Sequence, residues 1–344
     1  MDVEFHYWIT ALVAHRAGFS QEETKVIAYA SEFVDENDVC LEVVDKSSGE
    51  KYGNFISQTM NILKPKRELM RVYPLFHFVP GEPDAYTARR RDGKMHILNT
   101  TPNSENANEF LQAAFKSTED LRLYRIGIAT HCYVDTWAHQ NFVGWYDAFN
   151  NIGLDPKPDI GHADGEHHPD WVAHSWVDSR LVDGDINNSL RFLSAAKALF
   201  ENYCDYLSTY KGQPNNRANW PALEKELIKL FGTPYTGNRK VREYAKARMR
   251  GYKEALPWLD DFDEKIWFDA AIETDVNMFD DSDDGIFSTL SFSIFKDDYY
   301  WREDVDKEAT HWFKFQEAVK EHERFGLDLM ADLFRQMDVD IRRA

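Results

Sequence analysis

The segment from residue 117 to about residue 142 has the strongest helix signal in the chain and constrains the fold most. Ser117 can cap a helix, and the acidic residues after it favour the positive end of a helix dipole. This predicted helix contains His131, Asp135 and His139, each four residues from the next. Residues at that spacing share one helix face, so the pattern predicts a site for a zinc-like cation or a bridged pair. A His–Asp hydrogen bond without metal is the alternative.

Helical patterns dominate the rest of the chain, and they predict an all-α fold. Ser20 and Glu23 form a capping box before an apolar helical repeat. Further helices are predicted at residues 5–16, 170–182, 186–207 and 303–343, and one short strand at 71–79. We expect a single multi-helix globular domain, with a metal-binding core at residues 1–210. The helical C-terminal region, residues 211–344, would pack on that core.

The charge of the chain limits its partners. Its 344 residues include 59 acidic and 40 basic side chains, giving a net charge of −19. This balance argues against binding long nucleic acids or anionic membranes through the general surface. Three separated cysteines argue against a disulfide framework. The sequence has no apolar run that could span a membrane and no signal-peptide pattern at its start, so we expect a cytoplasmic protein.

A second group of potential ligands follows the helix predicted at residues 117–142. Residues 161–170 contain three histidines and three acids, a dense set of nitrogen and oxygen ligands. We favour His162 and Glu166 as metal ligands, with Asp164 and His167 as the competing choices. A solvated polar loop is the alternative.

Three more residues are candidate metal ligands because of their order in the chain. Taken alone, His6 is typical of a packed core residue, Asp35 of a solvated acid and His77 of a buried histidine that needs a partner. The order of these three residues, followed by HxxxD, His and His-x-x-x-acid, resembles the superfamily of bacterial zinc-dependent phospholipase C and the fungal single-strand-specific nuclease. The segments 33–36 and 76–78 also resemble motifs of that superfamily.

The resemblance implies an all-α fold and three metal ions over roughly residues 1–170. Its first ion would be held by Asp35, His77, His131 and Asp135. The second would be held by His139, His162 and Glu166. The third would be held by His6, by Asp135 as a bridge, and by the terminal amine and carbonyl of Met1.

Two features differ from the phospholipase and nuclease pattern. This chain has HxxxDxxxH where those enzymes have HxxxDxxxxxH, which is more similar to the heterokaryon-incompatibility C group. Those enzymes also expose their terminal residue by removing a signal peptide, whereas here Met1 stands five residues before His6. Asp2 is the substitute ligand if the terminal amine is not used.

These observations predict a metal-dependent phosphoester hydrolase, phospholipase C-like or a phosphodiesterase. Two or three zinc ions, or iron or manganese, would activate water, with Asp35 and Asp135 as the catalytic residues. A small phosphoester or a phospholipid head group would be the substrate. The competing hypothesis is a non-catalytic helical protein whose metals are structural.

Other metal-protein classes fit poorly. An HD-type phosphohydrolase lacks its His-Asp dipeptide here, and a ferritin-like site has only the Glu308–His311 motif. The acidic turn at residues 280–285 lacks the final glutamate of an EF-hand loop. Among the aromatic side chains near the ligand segments, we expect core packing rather than a substrate pocket for Tyr7, Trp8, Trp137, Trp145 and Trp171.

Overall fold

The computed structural model describes residues 1–59, 66–152, 159–162, 165–237, 239–275 and 298–337. Helices account for most of these residues, and the α-helices are α1 (Thr10–Ala17), α2 (Gln21–Glu36), α3 (Lys66–Val72), α4 (Glu105–Phe115), α5 (Glu119–Ala138), α6 (Asn188–Lys211), α7 (Trp220–Phe231), α8 (Val241–Ala255), α9 (Ile266–Ala271), α10 (His311–Leu329) and α11 (Ala331–Gln336). There are also two π-helical turns: Glu4–Ile9 continues directly into α1, and Tyr73–His77 directly follows α3. No helix in the described ranges is both long and apolar enough to cross a membrane.

Helix α5, which the sequence predicts at about residues 117–142, lies at the centre of the fold. It packs against α2, α4, α6 and α10, and nearly all of its side chains from Tyr124 onward are buried. Gly127 permits a close crossing with α2, because a Cβ atom there would lie 2.5 Å from Ala30 Cβ and 2.6 Å from the Ile27 carbonyl oxygen. This crossing brings the C-terminal part of α2, which carries Asp35, against the face of α5 that carries His131.

The fold contains β-sheet, so the all-α prediction is wrong. A four-stranded sheet has the order β2-β1-β8-β7, with β1 and β8 parallel and the other neighbours antiparallel. Two-stranded sheets form from β3 with β4 and from β5 with β6. The strands are β1 (Glu42–Val44), β2 (Lys51–Gly53), β3 (Tyr146–Asp147), β4 (Asp159–Ile160), β5 (Ser175–Val177), β6 (Asp185–Asn187), β7 (Ile272–Asp275) and β8 (Asp298–Trp301).

The strands are too short to produce an alternating apolar pattern. In β7 only Ile272 is buried, and in β1 only Val43 is buried. The pairing of β1 with β8 joins residues from opposite ends of the sequence. Long-range pairing, rather than local propensity, therefore determines these strands.

Several local predictions can be compared directly with the structure. The capping box at Ser20 is present, with Ser20 Oγ accepting a hydrogen bond from the Glu23 amide. The final helical region consists of α10 and α11. The strand predicted at residues 71–79 is wrong, because this buried apolar segment is the end of α3 and the second π-helical turn. The helix predicted at residues 170–182 is also wrong, because turns and β5 occupy it.

Candidate metal centre

Asp135 lies at the centre of a cluster of histidines and acids. It is on α5, with its side chain only 1% exposed. Its Oδ1 pairs with the Met1 amine and lies 3.1 Å from His6 Nε2. Its Oδ2 lies 3.3 Å from His131 Nε2 and 3.4 Å from His139 Nδ1, yet no hydrogen bond satisfies this buried oxygen. Burial would raise the pKa of Asp135, but His139, the amine and His6 hold it well below its usual value. The carboxylate is therefore ionised.

Two histidines in the cluster have their tautomers set by backbone carbonyl groups. His131 Nδ1 donates to the Ser31 carbonyl at 2.7 Å, and His77 Nε2 donates to the Ser57 carbonyl at 2.9 Å. A carbonyl oxygen only accepts, so these nitrogens carry the ring protons. The remaining nitrogens, His131 Nε2 and His77 Nδ1, lie 3.1 Å apart. In neutral rings they are two lone pairs facing each other, an arrangement that needs a proton or a metal cation between them.

Asp35 completes this first group of ligands. Its Oδ1 lies 3.6 Å from His77 Nδ1 and 3.7 Å from His131 Nε2. Burial would raise the pKa of Asp35, but His131, His77 and His6 lower it overall. In a tetrahedral site with bonds of about 2.1 Å, neighbouring ligand atoms are about 3.4 Å apart. The spacing among these groups matches that geometry, and the carbonyl bonds orient the rings as outer contacts of metal ligands do.

A second group forms around Asp170. His139 Nε2 lies 3.3 Å from Asp170 Oδ1, and His162 Nε2 lies 3.4 Å from Asp170 Oδ2. His139 Nδ1 donates to the His77 carbonyl at 2.8 Å, and His162 Nδ1 donates to the Glu166 carbonyl at 2.7 Å. The two Nε2 atoms therefore present lone pairs to the Asp170 carboxylate. Burial would raise the pKa of Asp170, but His162, the Met1 amine and His139 lower it overall. A cation among these three side chains would resolve the repulsion.

Met1 and His6 link the two groups. The Met1 amine contacts Asp135 and lies 3.5 Å from Asp170 Oδ1. Burial would lower its pKa, but Asp135, Asp170 and Asp35 outweigh burial and raise the pKa to about 11. His6 stacks on His131 with ring centroids 3.7 Å apart, and neither of its ring nitrogens has a hydrogen-bond partner. Burial first, and then His131 and the amine, lower the pKa of His6 to about 3, which leaves the ring neutral.

The C-terminal region contributes to the position of the first residues. The Arg248 guanidinium on α8 donates through Nε and Nη2 to both carboxylate oxygens of Glu4 at 2.6 Å. Both side chains are buried, and Tyr252 Oη adds a longer contact of 3.4 Å to Glu4. Glu4 begins the π-helical turn that also contains His6. The bidentate ion pair therefore holds the segment that presents Met1 and His6 to Asp135.

The described residues contain three groups able to hold a metal ion. They are formed by His6, Asp35 and His131, by His77, His131 and Asp135, and by His139, His162 and Asp170. Eight of the nine sequence-predicted ligand residues belong to these groups or contact them, namely Met1, His6, Asp35, His77, His131, Asp135, His139 and His162.

Glu166 is the predicted ligand whose carboxylate lies elsewhere. Its side chain is 64% exposed and lies 4.0 Å from His168 Nε2, and its backbone carbonyl accepts a hydrogen bond from His162 Nδ1. Asp170 takes the place expected for it. The His-x-x-x-acid pattern of the resemblance favours Glu166, but residues 165–170 form turns, and Glu166 has a φ of 49°. Asp170 was visible as the last acid of the same segment.

The alternative ligands also have defined places. His167 is 77% exposed, with Nδ1 3.9 Å from Asp170 Oδ2. Asp2 Oδ1 accepts a hydrogen bond from the Glu4 amide at 3.1 Å. Asp164 and the acidic turn at 280–285 lie outside the described residues. Of the five aromatic residues near the ligand segments, Tyr7, Trp8, Trp137 and Trp145 are buried and Trp171 is half-buried.

The sequence comparisons identify a family without identifying a function. None of the curated proteins and none of the solved structures matches the chain significantly. Residues 1–330 match DUF6765, which is described as a family of unknown function. Because the match covers nearly the whole sequence, the chain belongs to the DUF6765 family.

Proposed function

We propose that this protein is a metal-dependent phosphoester hydrolase that uses two or three zinc-type ions. The observation that carries the proposal is the set of imidazole lone pairs directed at buried carboxylates and at each other. Four rings, those of His77, His131, His139 and His162, each donate one proton to a backbone carbonyl. Their other nitrogens converge with Asp35, Asp135 and Asp170 at distances suited to metal coordination.

The donor set fits zinc, with iron or manganese as alternatives. Imidazole and carboxylate groups suit all three metals, and no cysteine takes part in the three groups. When bound, such ions would supply a water of lowered pKa and would stabilise negative charge on a phosphoryl group. The resemblance to the phospholipase C and nuclease superfamily also predicts a site of several metal ions held by histidines and acids.

The exposure of the ligands indicates the side from which a substrate would approach. The Asp35 side chain is 28% exposed and that of His162 is 19% exposed, whereas Asp135 is 1% exposed. Asp35 would therefore combine two roles, as a ligand and as the acceptor of a hydrogen bond from the attacking water. Gln58 Nε2 donates to Asp35 Oδ1 at 3.3 Å and restrains its orientation. Asp135 would act as the buried bridge.

Charge favours a small phosphoester or a phospholipid head group as the substrate. The site has three carboxylates, and two divalent ions would already exceed their charge. The pocket would then attract phosphate, while the net charge of −19 would disfavour a long nucleic acid along the surface.

Hydrolysis of a generic phosphodiester tests the proposal. Protein loaded with zinc, manganese or iron should hydrolyse bis(p-nitrophenyl) phosphate or a member of a small phosphoester panel. Asp35→Asn should lower the rate by a factor of about 100 or more, because a ligand and hydrogen-bond acceptor is lost. Glu36→Gln, at the next position of α2, is the matched control. No hydrolysis of any substrate by metal-loaded protein would contradict the proposal.

A structural role for the metals is the second candidate. The centre connects the first residues, α2 and α5 with His162 and Asp170, and most of its ligands are buried. Metal binding would then contribute directly to folding. Chelation that unfolds the protein, together with absence of hydrolysis by the loaded form, would support this candidate. Hydrolysis that Asp35→Asn abolishes without unfolding would support the enzyme.

A further inference from the structure

A separate cavity lies between α4, α5 and α10, and none of the residues that line it is a ligand of the metal centre. Its volume is about 410 Å³. Three cationic and three anionic side chains line it, together with Ala113 and Phe325. The charged residues are Glu109, Lys116, Arg125, Glu321, Arg324 and Asp328.

Arg125 is the buried residue of this cavity, and its hydrogen-bonding capacity is not satisfied. The residue is 1% exposed, and neither Nε nor Nη1 has a hydrogen-bond partner. Glu321 Oε1 lies 3.6 Å from Nε, too far for a hydrogen bond, while Glu321 Oε2 accepts from Ser117 Oγ at 3.0 Å. Burial lowers the pKa of Arg125 to about 10, although Glu321 opposes this, so the group is still cationic at neutral pH. A buried guanidinium with N–H groups that lack hydrogen bonds is costly, and a planar oxyanion matches its fork of N–H groups.

The rim of the cavity has charges of both signs. Lys116, Arg324, Glu109 and Asp328 are exposed, and none of them forms an ion pair within the described residues. A simple polyanion would meet three carboxylates on a chain whose net charge is −19. A molecule with one oxyanion and one ammonium group complements both the buried guanidinium and the acidic rim. Half-buried Phe325 offers an apolar wall beside them.

We propose that this cavity binds a small zwitterion, with its oxyanion on Arg125 and its ammonium group at the Glu109 and Asp328 carboxylates. The shared chemistry is found in α-amino acids and in aminoalkyl phosphates. The site is independent of the proposed hydrolase activity, because the inference uses neither the metal ligands nor a bound metal.

Isothermal titration of the full-length protein tests this proposal. The probes are glycine, leucine and phosphoethanolamine. Acetate, inorganic phosphate and ethylamine, which carry charge of one sign only, serve as comparison probes. At least one zwitterion should bind more tightly than each of these comparison probes. The amino acids and phosphoethanolamine distinguish a carboxylate ligand from a phosphate ligand.

Variants assign the binding to the cavity rather than to a metal ion. Arg125→Met should weaken binding by roughly 10-fold or more, since it removes a charged hydrogen-bond donor. Asp328→Asn is an exposed change that should preserve the fold and weaken zwitterion binding severalfold. Asp332→Asn, one turn further along the chain and outside the cavity, is its matched control and should bind as the wild type does. Absence of binding by all three zwitterions, or equal binding by wild type and Asp328→Asn, would overturn the proposal.

Discussion

Replacement of Gly127 by alanine tests the close helix crossing that brings together the residues of the proposed metal centre. The new Cβ atom would lie 2.5 Å from Ala30 Cβ and 2.6 Å from the Ile27 carbonyl oxygen. Ordinary carbon contacts are about 3.5–4.0 Å, so the helices must separate by about 1 Å. Overpacking of this kind costs up to about 3 kcal/mol, whereas alanine gains about 1 kcal/mol in helix propensity. We therefore expect Gly127→Ala to lower the free energy of unfolding by about 2 kcal/mol.

The same separation would weaken the metal centre, because His131 Nδ1 donates to the Ser31 carbonyl across this crossing. Urea titration gives the free energy of unfolding, and zinc titration of the folded variant gives its metal affinity. Gly251→Ala is the matched control, because its Cβ would meet only the flexible end of Leu230, at 2.8 Å. This control should be neutral or stabilised by up to about 1 kcal/mol. The reasoning is refuted if Gly127→Ala is as stable as Gly251→Ala and binds zinc with wild-type affinity.

Two further substitutions test how the site is held and which acid completes it. Arg248→Met removes the ion-pair partner of the buried Glu4 carboxylate, so it should lower the free energy of unfolding by about 3–5 kcal/mol, as measured by urea titration. The double variant with Glu4→Gln should recover part of that loss, and an unchanged stability of the single variant would contradict the assigned role of the ion pair. Asp170→Asn should remove about one bound metal ion per chain by elemental analysis, whereas Glu166→Gln should remove none, and the opposite result would restore Glu166 as the ligand.

Local sequence patterns predicted the parts of this molecule that depend on local interactions. The capping box at Ser20 and the helical repeat of α5 involve residues within a few positions of each other. The shared face of His131 and Asp135 follows from the same helix geometry, because side chains four residues apart lie on one side of a helix. The position of His139 also depends on a distant segment, because His139 lies at the C-terminal end of α5 and its Nε2 faces Asp170.

The parts that were predicted wrongly depend on contacts between distant segments. The pairing of Val43 with Tyr299 joins strands that are too short to be recognised by alternation. Asp170 lies in a segment of turns, where spacing along the sequence does not indicate which acid faces His162. The role of Arg248 could not be read from the sequence either, because its partner Glu4 is 244 positions away.

The metal content of the purified protein tests the central claim most directly. Protein prepared without chelators, incubated with zinc and dialysed, should contain two or three equivalents of metal by elemental analysis. Asp135→Asn should lower this content, because Asp135 connects the Met1 and His6 side of the centre with His131 and His139. Glu166→Gln should keep the wild-type content. Wild-type protein that retains no zinc, iron or manganese would contradict the account.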